Sequence, residues 1–232
     1  AYNQKKYQKG IYFPIICDDV IAKKRLERVL PISQNYVSKY QLEGKKVLLF
    51  VGRLVALKNV EFALRAFIKA NLDNTVFVIV GDGPEKEKLE KIAAGNPAVI
   101  FTGRLEGDEL YAWYNVGQVF TLPSYHEPFG AVTNEALVAG CKVLISKDAG
   151  SNCLVKDGEN GYIIDPHHET KFIEKLKLAF YSMKPLKMQL VVKENMMVSS
   201  FEEHIKSLYA RMENFPLELF DAESRNIFKI CN

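Results

Sequence analysis

The sequence has no long hydrophobic run and few cysteines. Its longest apolar runs, such as Val47–Val51 and Val76–Val80, are of strand length, whereas about 20 apolar residues are needed for a helix to cross a bilayer. The four cysteines, at positions 17, 141, 153 and 231, show no Cys-x-x-Cys spacing and are too sparse for a disulfide framework. These absences exclude a membrane-spanning helix and a zinc ribbon, and they favour a reducing, cytoplasmic setting.

Positive charge is concentrated at the start of the chain. Residues 1–46 carry ten Lys and Arg against four Asp and Glu, so the remaining residues sum to −3 although the whole chain is +3. The basic run Lys23–Arg28 falls on a predicted short helix. A solvated helix face is the favoured interpretation, because no aromatic stacking platform or nucleic-acid motif accompanies it. No nucleic-acid partner is expected, and peripheral contact with the inner face of a membrane is left open.

Apolar runs of four to six residues alternate with segments of helical periodicity after residue 45. This alternation predicts parallel β/α units that form a doubly wound, Rossmann-like α/β sheet of about six strands. The predicted strands are Val47–Val51, Thr75–Val80, Ala98–Phe101, Val119–Leu122, Lys142–Ser146 and Gly161–Ile164. The predicted helices are Val60–Ala70, Glu85–Ala94, Asp108–Val116, Ala131–Ala139, Glu169–Tyr181 and Phe201–Glu213. We predict a basic leader over 1–44, the sheet domain over 45–183 and C-terminal helices over 184–232.

Two loops of the predicted sheet carry groups suited to an anion. Arg53 and Lys58 follow the first strand, and ligands of such sheets bind outside the carboxyl ends of the strands. Phe129 and Gly130 precede a helix predicted to begin at Ala131, whose free N–H groups and dipole also favour negative charge. Together these loops indicate a phosphate or diphosphate site. The alternative for Arg53 and Lys58 is pairing with surface carboxylates.

Glu127 and Glu135 flank the same turn. Eight residues of helix rise about 12 Å, which argues against a closely spaced acid/base pair. We interpret the two carboxylates as separate contacts along one elongated ligand.

Other motifs are incomplete. Gly81-Asp82-Gly83 begins like a dinucleotide fingerprint, but Lys86 stands where the third glycine belongs. The pair His167-His168 lacks a third metal ligand, and His126 is a lone loop histidine. Neither a nucleophile elbow nor a phosphate-loop Gly-Lys-Ser/Thr signature is found.

Several motifs occur in order over residues 46–209 and resemble the C-terminal half of a family 4 (group 1) glycosyltransferase. They are Val51-Gly52-Arg53-Leu54 with Lys58-Asn59, Val80-Gly81-Asp82-Gly83-Pro84, Phe101-Thr102-Gly103-Arg104, Leu122-Pro123-Ser124, Glu127-Pro128-Phe129-Gly130 through Glu135-Ala136-Leu137, Val155–Gly161, and the terminal helix from Phe201-Glu202 through Leu208-Tyr209. Members of this family are retaining enzymes of the GT-B fold that use nucleotide diphosphate sugars. The resemblance implies that this chain is one half of a GT-B architecture.

The resemblance also implies a role for each matched residue. Arg53 and Lys58 bind the donor diphosphate and, with Glu127 at the sugar hydroxyls near the reacting carbon, form the catalytic set. The remaining donor-binding residues are the loop glycines Gly52 and Gly81, Arg104 and Leu105 beside the base, the backbone of Phe129, Gly130, Ala131 and Val132 at sugar and phosphate, and Glu135 at the ribose hydroxyls. No metal ion and no other cofactor is expected, since the nucleotide diphosphate sugar is a substrate.

Two departures and one absence limit the resemblance. Gln118 stands where an Asp is common, and Cys153 stands where a Glu is usual. No counterpart of the family's N-terminal acceptor-binding domain is found. We therefore expect a donor-binding half that is inactive alone, from an enzyme that transfers a sugar to a saccharide or lipid-linked acceptor with retention. The alternatives are a non-catalytic domain that binds nucleotide or sugar phosphate, and a GT-B-related epimerase.

Overall fold

Six parallel strands form a single sheet. The computed structural model describes residues 16–213, and the strand order is β3-β2-β1-β4-β5-β6. β1 and β2 are buried along nearly their whole length, as expected for strands covered on both faces. The prediction of a six-stranded, doubly wound α/β sheet is confirmed. The strands are β1 (Lys46–Val51), β2 (Thr75–Val80), β3 (Val99–Gly103), β4 (Val119–Leu122), β5 (Lys142–Ser146) and β6 (Gly161–Ile164).

Helices connect the strands, and others precede the first strand and follow the last one in the sequence. All six predicted helices are found, with bounds that differ by at most one residue. Two further helices precede the sheet. Of the described residues, 16–200 make one compact unit, and the last helix belongs to a second unit. The helices are α1 (Asp19–Arg28), α2 (Leu30–Lys39), α3 (Val60–Ala70), α4 (Lys86–Ala93), α5 (Gly107–Val116), α6 (Val132–Val138), α7 (Glu169–Tyr181) and α8 (Phe201–Glu213).

None of the described helices is both long and apolar enough to span a bilayer.

The strand order reverses between β1 and β4. β1 pairs with β2 on one side and with β4 on the other, and all pairs are parallel. The loops that follow β1 and β4 therefore leave the same edge of the sheet in opposite directions. This reversal creates the crevice in which open α/β sheets bind their ligands.

Helices α1 and α2 pack on the sheet domain through apolar side chains. Leu26, Val29 and Val37 are fully or almost fully buried. Tyr36 stacks on Trp113 of α5 with ring centroids 4.7 Å apart. The boundaries at residues 44 and 183 stay a prediction, while residues 16–44 contribute to the hydrophobic core of the described unit.

Part of the basic face of α1 has an internal partner. Arg25 Nε and Arg28 Nη2 lie 3.2 and 2.6 Å from Asp108 Oδ1, at the start of α5. Lys23 and Lys24 are exposed, as expected for a solvated helix face.

The segment after α7 runs back along the domain and is fixed by two sets of partly buried hydrogen bonds. Gln118 donates from Nε2 to the Lys184 carbonyl at 2.7 Å. Lys193 Nζ donates to the carbonyls of Tyr114, Asn115 and Gly117 at 2.9, 2.8 and 2.5 Å. These carbonyls end α5, so the buried ammonium caps the negative end of that helix. Burial lowers the pKa of Lys193.

Replacement of this cap is expected to destabilise the fold. Lys193→Met keeps the length of the side chain but removes the ammonium donor from all three carbonyls. The carbonyls of Tyr114 and Gly117 then keep only the weak thiol donor of Cys141, at 3.5 and 3.2 Å. We expect the free energy of unfolding, measured by urea denaturation followed by circular dichroism, to fall by about 2 kcal/mol. The exposed Lys187, changed to Met, serves as the control and should leave the stability unchanged. Equal stability of the two variants would contradict the capping role.

Candidate functional site

The loops that follow β1, β2 and β3 touch one another through their backbones. Gly52 donates its N–H to the Val80 carbonyl at 3.0 Å, and Gly81 donates to the Gly103 carbonyl at 2.9 Å. A Cβ atom added to Gly81 would lie 1.9 Å from the carbonyl oxygen of Gly52, closer than real Cβ contacts allow. Glycine is therefore required at position 81 by close backbone approach and not by a dinucleotide fingerprint.

These three loops line a cleft of about 510 Å³ at the edge of the sheet. The volume is within the range of small-molecule sites, which is roughly 300–1,000 Å³. Arg53 and Arg104 bring positive charge to it, and Asp82 and Glu106 bring negative charge. Arg104 pairs with Glu106. The structure thus brings five of the predicted residues together in one cleft: Gly52, Arg53, Gly81, Arg104 and Leu105.

Lys58 and Glu127 form an ion pair that joins the loop after β1 to the loop after β4. Lys58 ends a short 3-10 helix, Ala56–Lys58, and Glu127 lies in the loop after β4. Their side chains are 23% and 12% exposed, so the pair is largely shielded from water yet borders the surface. Two groups predicted for neighbouring parts of one ligand therefore lie in direct contact.

Backbone contacts hold Glu127 in place. Its N–H donates to the Asp148 carbonyl at 3.1 Å, and its carbonyl accepts from Gly150 N–H at 2.9 Å. The loop after β4 is thus joined to the loop after β5, which places the carboxylate on a rigid support.

Asn59 fixes the end of the Lys58 loop. It is buried, it adopts a left-handed backbone conformation with φ of 53°, and its Nδ2 donates to the Pro166 carbonyl at 3.2 Å. Asn tolerates this conformation better than most residues. The short 3-10 helix that carries Lys58 can therefore turn directly into α3.

The turn from Phe129 to Val132 is shaped by Gly130. Gly130 has φ of +91°, and an added Cβ would lie 2.6 Å from Leu122 Cδ2 and 3.1 Å from Glu127 Cγ. Phe129 packs partly on the core, and its carbonyl accepts from Ser151 N–H at 2.7 Å. Ser151 belongs to a 3-10 helix, Gly150–Leu154, that also carries the exposed Cys153.

The helix after this turn is shorter than the sequence predicts. Ala131 is its N-cap and Val132 its first residue, and it ends at Val138 after seven residues. A helix of two turns sums few peptide dipoles. The helix dipole therefore contributes little positive charge at this turn.

Glu135 on α6 lies in different surroundings from Glu127. Its Oε2 accepts a hydrogen bond from the Tyr114 hydroxyl at 2.7 Å. Burial raises the pKa of Glu135, and this outweighs the opposing effects of Tyr114, Arg25 and Tyr111. Arg25 in turn lies over the Tyr111 ring, 3.7 Å from its centroid. Glu127 pairs with Lys58, whereas Glu135 bonds to Tyr114, so the two carboxylates have different partners. Their separate roles stay a prediction.

The sequence did not point to Tyr114 or Arg25 as parts of the site. Helical periodicity places Tyr114 on a buried face, and its hydroxyl meets a carboxylate 21 residues later in the chain. Arg25 belongs to a helix that the sequence assigns to a basic leader. Only the packing of α1, α5 and α6 brings these groups to Glu135.

The histidines make no metal centre in the described part of the chain. His167 stacks on Tyr125 with ring centroids 5.1 Å apart, beside the loop that carries Glu127. Within residues 16–213 the structure gathers no group of three His, Cys, Asp or Glu side chains suited to a metal ion.

A family model described as glycosyl transferases group 1 matches residues 33–195. The match covers more than half of the chain and includes the whole sheet and every predicted site residue. The chain belongs to this family.

Curated relatives match about half of the chain. A sulfoquinovosyl transferase of Arabidopsis thaliana is 35% identical over 136 residues, which are 57% of this chain and 26% of that protein. A GDP-mannose-dependent alpha-mannosyltransferase of Mycolicibacterium smegmatis is 36% identical over 123 residues, 53% of this chain and 31% of that protein. The chain therefore spans less than a third of the length of either relative.

One solved structure shows which part of a group 1 glycosyltransferase the chain resembles. The C-terminal domain of such a protein from Francisella tularensis superposes with a TM-score of 0.59 at 21% identity. The superposition covers 76% of this chain and 92% of that domain. The fold is thus that of the C-terminal domain of a GT-B glycosyltransferase.

We expect that only glycine at position 81 allows the loops after β1 and β2 to approach each other as they do. Gly81→Ala forces the loops after β1 and β2 apart and should lower the free energy of unfolding by about 2–3 kcal/mol. Gly158→Ala is the control, because a Cβ there meets nothing within 4 Å and only the positive φ of +86° is penalised, at about 1 kcal/mol. Thermal denaturation of both variants gives the comparison. A loss for Gly81→Ala no larger than the control would contradict the close approach.

Proposed function

We propose that this chain is the donor-binding half of a retaining glycosyltransferase that uses a nucleotide diphosphate sugar. The observation that carries the proposal is the position of Arg53, Lys58 and Glu127 at the reversal of strand order, in a chain that belongs to the group 1 family. The printed name of the M. smegmatis relative, GDP-mannose-dependent, supports a nucleotide sugar as donor.

Arg53 and Lys58 bind the diphosphate in this proposal. Arg53 lines the cleft, and Lys58 follows it in the same loop. In retaining transfer the bond between the sugar and the diphosphate breaks, so negative charge grows on the departing phosphate oxygen. Two cations beside that oxygen stabilise the transition state more than the ground state. They supply charge that a metal ion provides in other transferases, and we propose that no metal is needed.

Glu127 binds the donor sugar beside the reacting carbon. Its ion pair with Lys58 holds both side chains at the junction where sugar and diphosphate meet. An arriving diphosphate competes for the Lys58 ammonium, and the Glu127 carboxylate then accepts hydrogen bonds from sugar hydroxyls. The backbone of Phe129–Val132 completes this end of the site.

The nucleoside occupies the other end. The cleft beside Arg104 and Leu105 takes the base, and the carboxylate of Glu135 takes the ribose hydroxyls. The acceptor is a saccharide or a lipid-linked saccharide bound by an N-terminal domain. That domain is the partner needed for turnover.

The donor site is tested by calorimetric titration of the chain with UDP, GDP and ADP in the absence of a divalent metal. We expect selective binding of one nucleotide, which names the base. Binding of none, or binding that appears only with added Mg²⁺, would contradict the proposed site. Retention is tested in a protein that includes the N-terminal half, by the anomeric configuration of the first product in NMR spectra.

Arg53→Ala is expected to weaken the bound nucleotide and inorganic diphosphate alike. A charge-assisted hydrogen bond contributes about 1.5–3 kcal/mol, so affinity should fall roughly tenfold to a hundredfold for both ligands in titration calorimetry.

Arg65→Ala is the matched control for Arg53→Ala. Arg65 lies on α3 and pairs with Glu61 at 2.8 Å, outside the residues of the cleft. Its loss should leave both affinities unchanged. Equal effects of the two substitutions would mean that Arg53 contributes only to the net charge of the surface and does not contact the diphosphate.

A further inference from the structure

We propose that Tyr114 is a positioning residue for the ribose-binding carboxylate Glu135. The inference rests on the proposed function, in which Glu135 accepts hydrogen bonds from the ribose of the donor. Tyr114 does not contact the ligand in this account. It acts by fixing the orientation of the carboxylate and by favouring its ionised form.

Tyr114 is one of the most firmly held side chains of the domain. It is fully buried in α5, and its ring packs against Tyr111 and Phe120 with centroids 5.9 and 6.4 Å away. Its own carbonyl accepts from Lys193 Nζ at 2.9 Å. Backbone and ring are therefore both fixed, and the hydroxyl has a defined position from which it donates to Glu135 Oε2 at 2.7 Å.

This contact leaves the carboxylate able to bind a diol. A carboxylate has about four lone-pair sites, of which Tyr114 uses one and the weaker contact with Tyr111 a second, so two remain for a ligand. Binding the two neighbouring hydroxyls of a ribose requires that the carboxylate plane be fixed. A free Glu side chain would lose rotamer entropy on binding, whereas a side chain already held by a buried partner loses less.

The charge on Glu135 depends on few neighbours. The titratable or charged groups that face it are Tyr114 and Tyr111 on α5, Arg25 on α1 and Cys17 just before α1. Burial raises the pKa of Glu135, and the hydrogen bond from Tyr114 opposes that rise. Since an ionised carboxylate accepts hydrogen bonds from ribose hydroxyls more strongly than a protonated one, the phenol supports binding through charge as well as orientation.

The test compares a nucleotide that has ribose hydroxyls with one that lacks them. The probes are the best-binding nucleoside diphosphate among UDP, GDP and ADP and its 2′,3′-dideoxy counterpart. In the wild-type chain the ribonucleotide should bind more tightly, and Glu135→Gln should remove most of that difference. Tyr114→Phe should weaken the ribonucleotide about fivefold to tenfold and leave the affinity of the dideoxy nucleotide unchanged.

The pH dependence of the preference for the ribonucleotide is a second test. As pH falls through the raised pKa of Glu135, the wild-type chain should lose its preference for the ribonucleotide. Without the Tyr114 hydroxyl the pKa of Glu135 rises further, so Tyr114→Phe should lose the preference at a higher pH than the wild-type chain. A purely structural effect of the substitution would lower affinity without moving this transition.

Ser33→Ala is the matched control. The Ser33 hydroxyl is also fully buried and bonds to α5, at 3.1 Å from the Ala112 carbonyl, but it lies in the packing of α2. This variant should lose comparable stability and keep the wild-type preference for ribose.

The outcomes distinguish the ribose role of Glu135 from the positioning role of Tyr114. A wild-type chain that binds both probes equally overturns the ribose role of Glu135 and this inference with it. A ribose preference that Glu135→Gln removes but Tyr114→Phe leaves intact, with the same pH transition, overturns the role of Tyr114 alone. Equal weakening of both probes by Tyr114→Phe likewise shows that the phenol only supports the fold.

Discussion

The candidate site depends on the reversal of strand order between β1 and β4. Because all six strands are parallel, their carboxyl ends share one edge of the sheet. The reversal sends the loop of Arg53 and Lys58 and the loop of Glu127 in opposite directions from neighbouring strands. Charged side chains from distant parts of the sequence thereby meet in one crevice, and every further feature of the site is built around it.

Two levels of packing support that crevice. Close approach of the loops at Gly52 and Gly81 forms the wall beside the proposed nucleoside, and the contact of Glu127 with the loop after β5 holds the proposed sugar end. Behind them, α5 is fixed at its end by Lys193 and carries Tyr114 to Glu135. Backbone contacts thus hold the loops of the site, and the hydrogen bonds of Lys193 and Tyr114 hold the helix behind them.

The fold was largely predictable from the sequence because its signals are local. Apolar runs mark the strands, periodicity marks α3 and α7, and Gly81 and Gly130 mark turns that require glycine. The contacts of Glu135 were not predictable in this way, since Tyr114 and Arg25 come from helices whose packing no local pattern encodes. The length of α6 also differed by a residue at each end, where a two-turn helix has no strong capping signal. The roles of the site residues toward a donor stay predictions.

The most direct test of the account is to map nucleotide binding onto the chain by two-dimensional amide NMR. Titration with the preferred nucleoside diphosphate should shift the amide signals of Gly52, Arg53, Gly81, Arg104 and Gly130, with little change on the far faces of α3 and α7. Shifts confined to another surface, with these five signals unmoved at saturation, would contradict a donor site at the reversal of strand order.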